Sequence, residues 1–357
     1  MHMADALISP AVGGVMWAAS AGTIVYCSAK VKNEMDSGKV PLMGVLGAFI
    51  FAAQMINFTI PATGSSGHLG GGMILSILLG PYASFLTIAS VLVVQALFFA
   101  DGGLLALGCN IFNLGIFPAF IAYPLIYKKI AATNATQGKI TVAAIASAVV
   151  GLQLGALGVV LETVASGISS LPFTTFVALM QPIHLAIGIV EGVVTAAVVS
   201  FVFRARPEII QGAQDDTPAR GMAMKHIVFA FLAISILAGG IVSRFASEKP
   251  DGLEWSIAKI TGKEELEGSN GGVHAALARL QERLAFLPDY SFKKHDKEAK
   301  AATIDAAANK TAPEATGENR ENGSDPASSL SGITGGLITL LIVFAIGYFL
   351  KRRSRVV

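Results

Sequence analysis

The chain has 357 residues, 53% of them hydrophobic and 14% charged, with a mean hydropathy of +0.62. Soluble globules carry roughly a quarter charged residues, so the composition excludes that class and describes an all-α polytopic membrane protein. A net charge of +2 gives no electrostatic basis for nucleic-acid binding, and the two cysteines, Cys27 and Cys109, form no CxxC pair.

The chain opens Met1-His2-Met3-Ala4-Asp5. A His at position 2 lets one end of a polypeptide supply three nitrogens to a metal: the Met1 α-amine, the His2 backbone nitrogen and the His2 Nδ1. Together they close two chelate rings and leave one corner of a planar site for an imidazole from elsewhere. Such coordination suits Ni(II) or Cu(II) better than Zn(II), which prefers a tetrahedron. A free amine is expected, because no basic signal-peptide region precedes the first apolar stretch. The alternative is that the Met-His start is incidental.

Nine apolar spans are expected, at about 11–29, 41–59, 69–80, 82–100, 104–127, 139–160, 182–203, 226–244 and 331–350. The third is short for a hydrocarbon core of roughly 30 Å and reads as a tilted or partly re-entrant helix. It is kept as a span because the charge pattern needs an even number of crossings there. Lys30, Lys32 and Lys39, then Lys128, Lys129 and Lys139, then Arg204, Arg206, Arg220 and Lys225, and finally Lys351, Arg352, Arg353 and Arg355 mark one side. Segments 60–68, 101–103 and 161–181 hold no Lys or Arg. The positive-inside rule then places the N-terminus and loop 60–68 outside and the C-terminus in the cytoplasm.

The outer loop reads Pro61-Ala-Thr-Gly-Ser-Ser-Gly67-His68-Leu-Gly-Gly-Gly72, a backbone that bends sharply and packs closely. His68 is its one strong metal ligand and shares a face with the terminal chelate; the other reading is a loop His bonded to backbone. His184 and Glu191 stand seven residues apart on one helix face. They either orient the ligands from behind or bond neighbouring helices. Gln54, Asn57, Asn110 and Asn113 carry the same two readings. His226 falls at a cytoplasmic helix boundary, and His274 and His295 lie in a polar stretch where solvation is expected. Residues 245–330 form a polar extracytoplasmic insert, with an amphipathic helix at 274–284 and a flexible connector at about 296–329.

The start Met1-His2-Met3-Ala4-Asp5-Ala6, the loop Gly64 to Gly71 and the stretch Gln181 to Gly192 resemble the CbiM/NikM substrate-capturing subunit of energy-coupling-factor transporters for cobalt and nickel. The segment Pro250-Asp251-Gly252-Leu253-Glu254 resembles the PDGLE domain, counterpart of the separate CbiN/NikN subunit. The resemblance implies a fusion: residues 1–220 as a seven-helix S-component-like bundle, and 221–357 as two further transmembrane helices flanking the outer segment. It implies metal ligation by Met1, His2 and His68; His184, Glu191 and Asn113 stay candidate residues behind them on the helix-face reading alone. It also implies a transmembrane T-component and cytoplasmic ATPase subunits as partners, in a cell membrane. Ni2+ or Co2+ would be the transported substrate, with no cofactor. The chain has no phosphate-binding Gly-x-x-x-x-Gly-Lys loop, in keeping with a transport component rather than an enzyme. The rival readings are an intramembrane metalloenzyme, against which the absence of a His-Glu-x-x-His helix speaks, and an assembly subunit without a metal site of its own.

Overall fold

The computed structural model describes residues 2–34, 38–131, 136–211, 223–266, 268–269, 271–292 and 326–354. His295 and the connector at about 296–329 lie outside it, apart from the start of the last helix. The chain is helical, as its apolar runs require: α1 (Pro10–Glu34), α2 (Lys39–Gln54), α3 (Gly72–Leu79), α4 (Pro81–Phe99), α5 (Leu107–Ala131), α6 (Gln137–Ser166), α7 (Phe173–Ala205), the short α8 (Pro207–Gln211), α9 (Met224–Gly240), α10 (Gly252–Thr261), α11 (Gly272–Leu284) and α12 (Pro326–Ser354). A small hairpin, β1 (Phe58–Ile60) and β2 (Ser65–Gly67), pairs antiparallel with Thr59 opposite Ser66.

Seven helices among the described residues are long and apolar enough to cross a membrane, five before residue 206 and two after it. The other two expected spans are shorter. Helix α2 has 16 residues and stops at Gln54, because the chain leaves it for β1. Helix α3 has 8 residues, about 12 Å at 1.5 Å per residue, and cannot cross alone. Gly71 and Gly80 bound it with φ of 78° and 80°, and Pro81 starts the next helix. His68 before α3 and Asp101 after α4 nevertheless line one cavity, so this pair returns the chain to the face it left. The expected loop at 161–181 contracts to 167–172, because α6 and α7 extend beyond the apolar stretches.

Helix α5 winds with π-helical turns from Phe112 to Tyr127 and contains Pro118 and Pro124, residues that remove two backbone donors from its ladder. Helices α6 and α7 pack along their lengths, and α2, α9 and α12 pack against one another as a trio. The α9–α12 crossing is a backbone contact: a Cβ added to Gly332 would stand 2.1 Å from the Gly239 carbonyl oxygen. Small residues permit this approach, which replaces side-chain packing between membrane helices. The core is continuous from the first helices into the outer segment, where Leu253, Ile257 and Leu287 join it.

Gly332→Leu is expected to push α9 and α12 apart, at a cost of at least the about 1–3 kcal/mol of an overpacked core. The thermal unfolding midpoint of the detergent-solubilised chain should fall by several degrees. An unchanged midpoint would show that the crossing is not a close backbone contact.

Candidate metal centre

The first residues are fastened down by backbone and side-chain bonds from the loop after α4 and the start of α5. Asn110 accepts from the Met3 N–H at 2.8 Å and donates to the Met3 carbonyl at 3.2 Å. That carbonyl also accepts from Gly103 N–H at 2.9 Å, and Asp5 accepts from Ala106 N–H at 2.9 Å. Met3 is fully buried. Met1 lies outside the described residues. The His2 imidazole is brought to Asp101, with Nδ1 2.7 Å from Oδ1, while its buried Nε2 has no hydrogen-bond partner.

The Gly-rich loop carries His68 to the same place. The two imidazole centroids are 5.0 Å apart with planes inclined by 35°. The His68 Nδ1 bonds the Leu69 carbonyl at 3.1 Å, which leaves Nε2 as the nitrogen directed elsewhere. The loop is held from below by Glu191, whose two carboxylate oxygens accept from Gly70 N–H at 2.9 Å and Gly71 N–H at 3.0 Å. Gln54 donates to the Gly70 carbonyl at 2.8 Å and itself accepts from Gln95 at 2.9 Å. Buried polar groups in a membrane bundle require such partners, and here they tie α2, α4 and α7 to one turn.

The segment after α9 closes over these residues. The Pro250 carbonyl accepts from Ser66 N–H at 2.8 Å, the Lys249 carbonyl from the Ser66 hydroxyl at 2.6 Å, and the Trp255 indole N–H donates to the Thr63 carbonyl at 3.0 Å. Asp251 caps α10 by accepting from Leu253 and Glu254 N–H, and Glu254 reaches back to the Asp251 N–H. This capping box fixes the turn so that Asp251 Oδ2 lies 3.9 Å from His68 Nε2. Gly252 is needed there: a Cβ would meet His184 Cε1 at 3.0 Å. Helix α11 lies over the other side, where Gln281 donates to the carbonyls of Ala96 and Gly102 and His274 Nε2 bonds the Ile8 carbonyl at 2.9 Å. His274 is therefore buried against the first residues rather than solvated as its polar surroundings suggested. Tyr290 stacks on Phe99 and donates its hydroxyl to Asp101 Oδ2.

Between these elements lies a cavity of about 390 Å³ lined by His2, Gln54, His68, Asp101, Asp251 and Tyr290, among others. Burial, helped by repulsion from neighbouring positive groups including His2, pushes the His68 pKa down to about 3, so the ring is neutral with a lone pair to offer. Burial works to raise Asp101, but His2 and the Tyr290 hydroxyl hold it well below the usual carboxylate range. Asp251 is likewise held low against burial, by nearby positive charge and the Glu254 N–H. The set places neutral imidazole beside ionised carboxylate, donor types found in divalent transition-metal sites.

Residues 2–209 match the family described as the cobalt uptake substrate-specific transmembrane region, CbiM, and residues 225–352 match the PDGLE domain. The chain belongs to the CbiM family. It is 34% identical over 359 residues to a fused nickel transport protein NikMN of Archaeoglobus fulgidus, with 99% of each chain covered. The fused nickel transport protein NikMN of Rhodobacter capsulatus is 29% identical over 82% of this chain and 88% of its own. A crystal structure of a truncated transition metal transporter, 30% identical, superposes with a TM-score of 0.51 over 57% of this chain and 98% of that one. A CbiM chain fused to a PDGLE domain is a multi-pass membrane transport component, not an enzyme, and a transition metal is its substrate rather than a cofactor.

Of the residues singled out from sequence, the structure gathers His2 and His68, with His184 and Glu191 behind the loop. Asn113 donates to Glu162 at 2.7 Å and lines a small space shared with Gly70 and Glu191, separate from the main cavity. Asp101 and Tyr290 were not anticipated. An acid in the short Gly-rich turn Ala100-Asp101-Gly102-Gly103 was the available signal for the first; Tyr290 had none.

Replacing Glu191 by Leu leaves the Gly70 and Gly71 N–H groups without acceptors, at about 1–3 kcal/mol for each buried group. Hydrogen exchange at those two amides should accelerate roughly ten- to hundredfold, with the α6 and α7 amides unaffected. Unaltered exchange would dissociate Glu191 from the loop.

Proposed function

We propose that this chain is the substrate-capturing membrane component of an energy-coupling-factor importer for nickel or cobalt. The ion would be held by the Met1 amine, the His2 amide and imidazole nitrogens, and His68. The observation that carries the reading is the convergence of His2 and His68, 66 positions apart in sequence, on ring centroids 5.0 Å apart at the wall of one acidic cavity. Relatives named as nickel and cobalt transport proteins support the class of ion. Residues 1–220 form the capturing bundle and 221–357 the PDGLE part.

Loading requires one exchange. The terminal chelate uses His2 Nδ1, the nitrogen that faces Asp101, so binding swaps the Asp101 bond for a metal bond. Asp101 and Asp251 then stand beside the complex and offset its positive charge. The Asn110 bonds to Met3 hold the next residue so that only the first two need to reorganise. The basic loops orient the cavity to the outside and the last helix toward the cytoplasm. A T-component and ATPase subunits then turn the loaded bundle to release the ion inside.

His2→Ala and His68→Ala should each abolish uptake in cells while leaving membrane insertion intact; normal uptake by either would exclude the coordination. One residue added before Met1 should remove tight Ni(II) binding and its planar-nickel absorption. Because the amine, amide and His2 imidazole must shed protons to bind, affinity should weaken as pH falls from about 8 to 5, where free His and the α-amine ordinarily titrate. His68, already neutral across that range, adds little to the slope. A titration flat in pH would rule out the all-nitrogen set.

A further inference from the structure

The amphipathic helix of the outer segment leaves its apolar side largely uncovered. In α11, Val273, Leu277, Leu280 and Leu284 recur at helical spacing and form one stripe. Leu277 is half-buried, but Val273, Leu280 and Leu284 are 48%, 46% and 40% exposed, and Phe286 just beyond the helix is 44% exposed. The side that packs on the bundle is instead polar. His274 and Gln281 carry its bonds, and they lie about a quarter turn round the helix from the stripe. Arg279 and Arg283 stand nearly opposite those two residues and are exposed. A helix that gives its polar side to the protein and its apolar side to the outside is the reverse of what water selects.

The anchors of α11 fix its height. His274 Nε2 bonds the Ile8 carbonyl, just before α1 begins, and Gln281 donates to Ala96 at 2.9 Å and Gly102 at 2.7 Å, on either side of the end of α4. The Phe286 N–H donates to the Phe98 carbonyl at 3.1 Å, and its ring lies 5.5 Å from that of Phe99. Further on, the Ser331 hydroxyl, near the start of α12, donates to the Tyr290 carbonyl at 3.2 Å. All these points are at the ends of apolar helices, so the segment crosses them at the level where hydrocarbon gives way to headgroups. Helices α1 and α12, at the two ends of this path, touch each other and are the least buried of the seven long apolar helices, with 17% and 28% of their most apolar stretches covered. They form a lipid-facing flank, and the stripe on α11 extends it.

We propose that α11 is an interfacial helix whose apolar stripe is seated in the lipid leaflet at this end of the bundle, with Arg279 and Arg283 at the phosphates of anionic lipids. The leaflet is the outer one in the orientation given above. A helix in the membrane plane with an apolar stripe and basic residues beside it binds by buried apolar area together with attraction to anionic headgroups. Long arginine stems let the guanidinium groups reach the phosphates, whose oxygens they match in pairs. The chain continues from Leu284 directly into the turn whose Tyr290 hydroxyl is donated to Asp101. The leaflet that holds α11 therefore also steadies the rim of the metal cavity.

The test uses the full chain in vesicles and needs neither metal nor uptake, so its outcome is separate from that of the His2 and His68 chelate. Cys27 and Cys109 are buried, and a bimane label is placed on Leu280→Cys, Leu284→Cys or, as the aqueous control, Glu282→Cys. In vesicles of phosphatidylglycerol brominated in the acyl chains, labels at 280 and 284 should be quenched severalfold more strongly than the label at 282, which acrylamide in the water should reach instead. Acrylamide reaching all three positions alike would overturn the proposal. Labels at 280 and 284 sheltered from both quenchers would overturn it too, and would assign the stripe to a second copy of the chain. Arg279→Gln combined with Arg283→Gln should lower the bromine quenching at 284 in phosphatidylglycerol and leave it unchanged in phosphatidylcholine. No loss in phosphatidylglycerol, or an equal loss in both lipids, would overturn the place given to the two arginines.

Discussion

The first residues of a polypeptide are ordinarily its least ordered, so His2 can meet a fixed partner only if the backbone beside it is held. The paired bonds between Asn110 and Met3 remove that freedom, and most of the candidate centre depends on them. They fix a buried residue one step from His2, so the imidazole can reach only a small region. Asp101 and His68 lie in that region. The same constraint explains the crowded glycines of the turn after α4: a Cβ on Gly103 would lie 1.9 Å from Asp5, so any other residue there would displace the strand of chain that Asn110 holds.

The loop that brings His68 is constrained by different chemistry. Its backbone donors at Gly70 and Gly71 end on one carboxylate, Glu191, and its Gly70 carbonyl ends on Gln54. Bonds of this kind are strong where water is scarce and costly to leave half made. They make the loop a rigid part of α2 and α7 rather than an independent flap. The segment after α9 adds the opposite wall of the cavity, its Lys249 and Pro250 carbonyls accepting from Ser66 in β2. Strain gathers at its rim. Asp289 and Tyr290 both take left-handed backbone angles, φ 49° and 58°, in the turn that delivers the Tyr290 hydroxyl to Asp101.

The helices were legible because a bilayer writes its demand in long apolar runs, and the amphipathic stretch at 274–284 became α11 for the same reason of periodicity. Their ends were less so. Helix α2 is cut short by pairing in β1, and α3 by the glycines around it, neither of which hydropathy measures. His68 was legible as the single strong ligand in a Gly-rich loop. Asp101, Tyr290 and the burial of His274 were not, since each depends on partners far away in sequence: 99 positions for His2 with Asp101, 189 for Asp101 with Tyr290, 266 for His274 with Ile8. Asp251 stood inside a motif that could be read, but its place beside His68 follows only from the capping box and the bonds to Ser66.

The outer segment is tethered at both ends, by α9 and α12, which cross each other through Gly239 and Gly332. A cover supplied by a separate polypeptide would be present in proportion to its abundance. Here it is present once per cavity. The covalent link thus fixes the ratio of cover to cavity at one to one, whatever the amount of protein present.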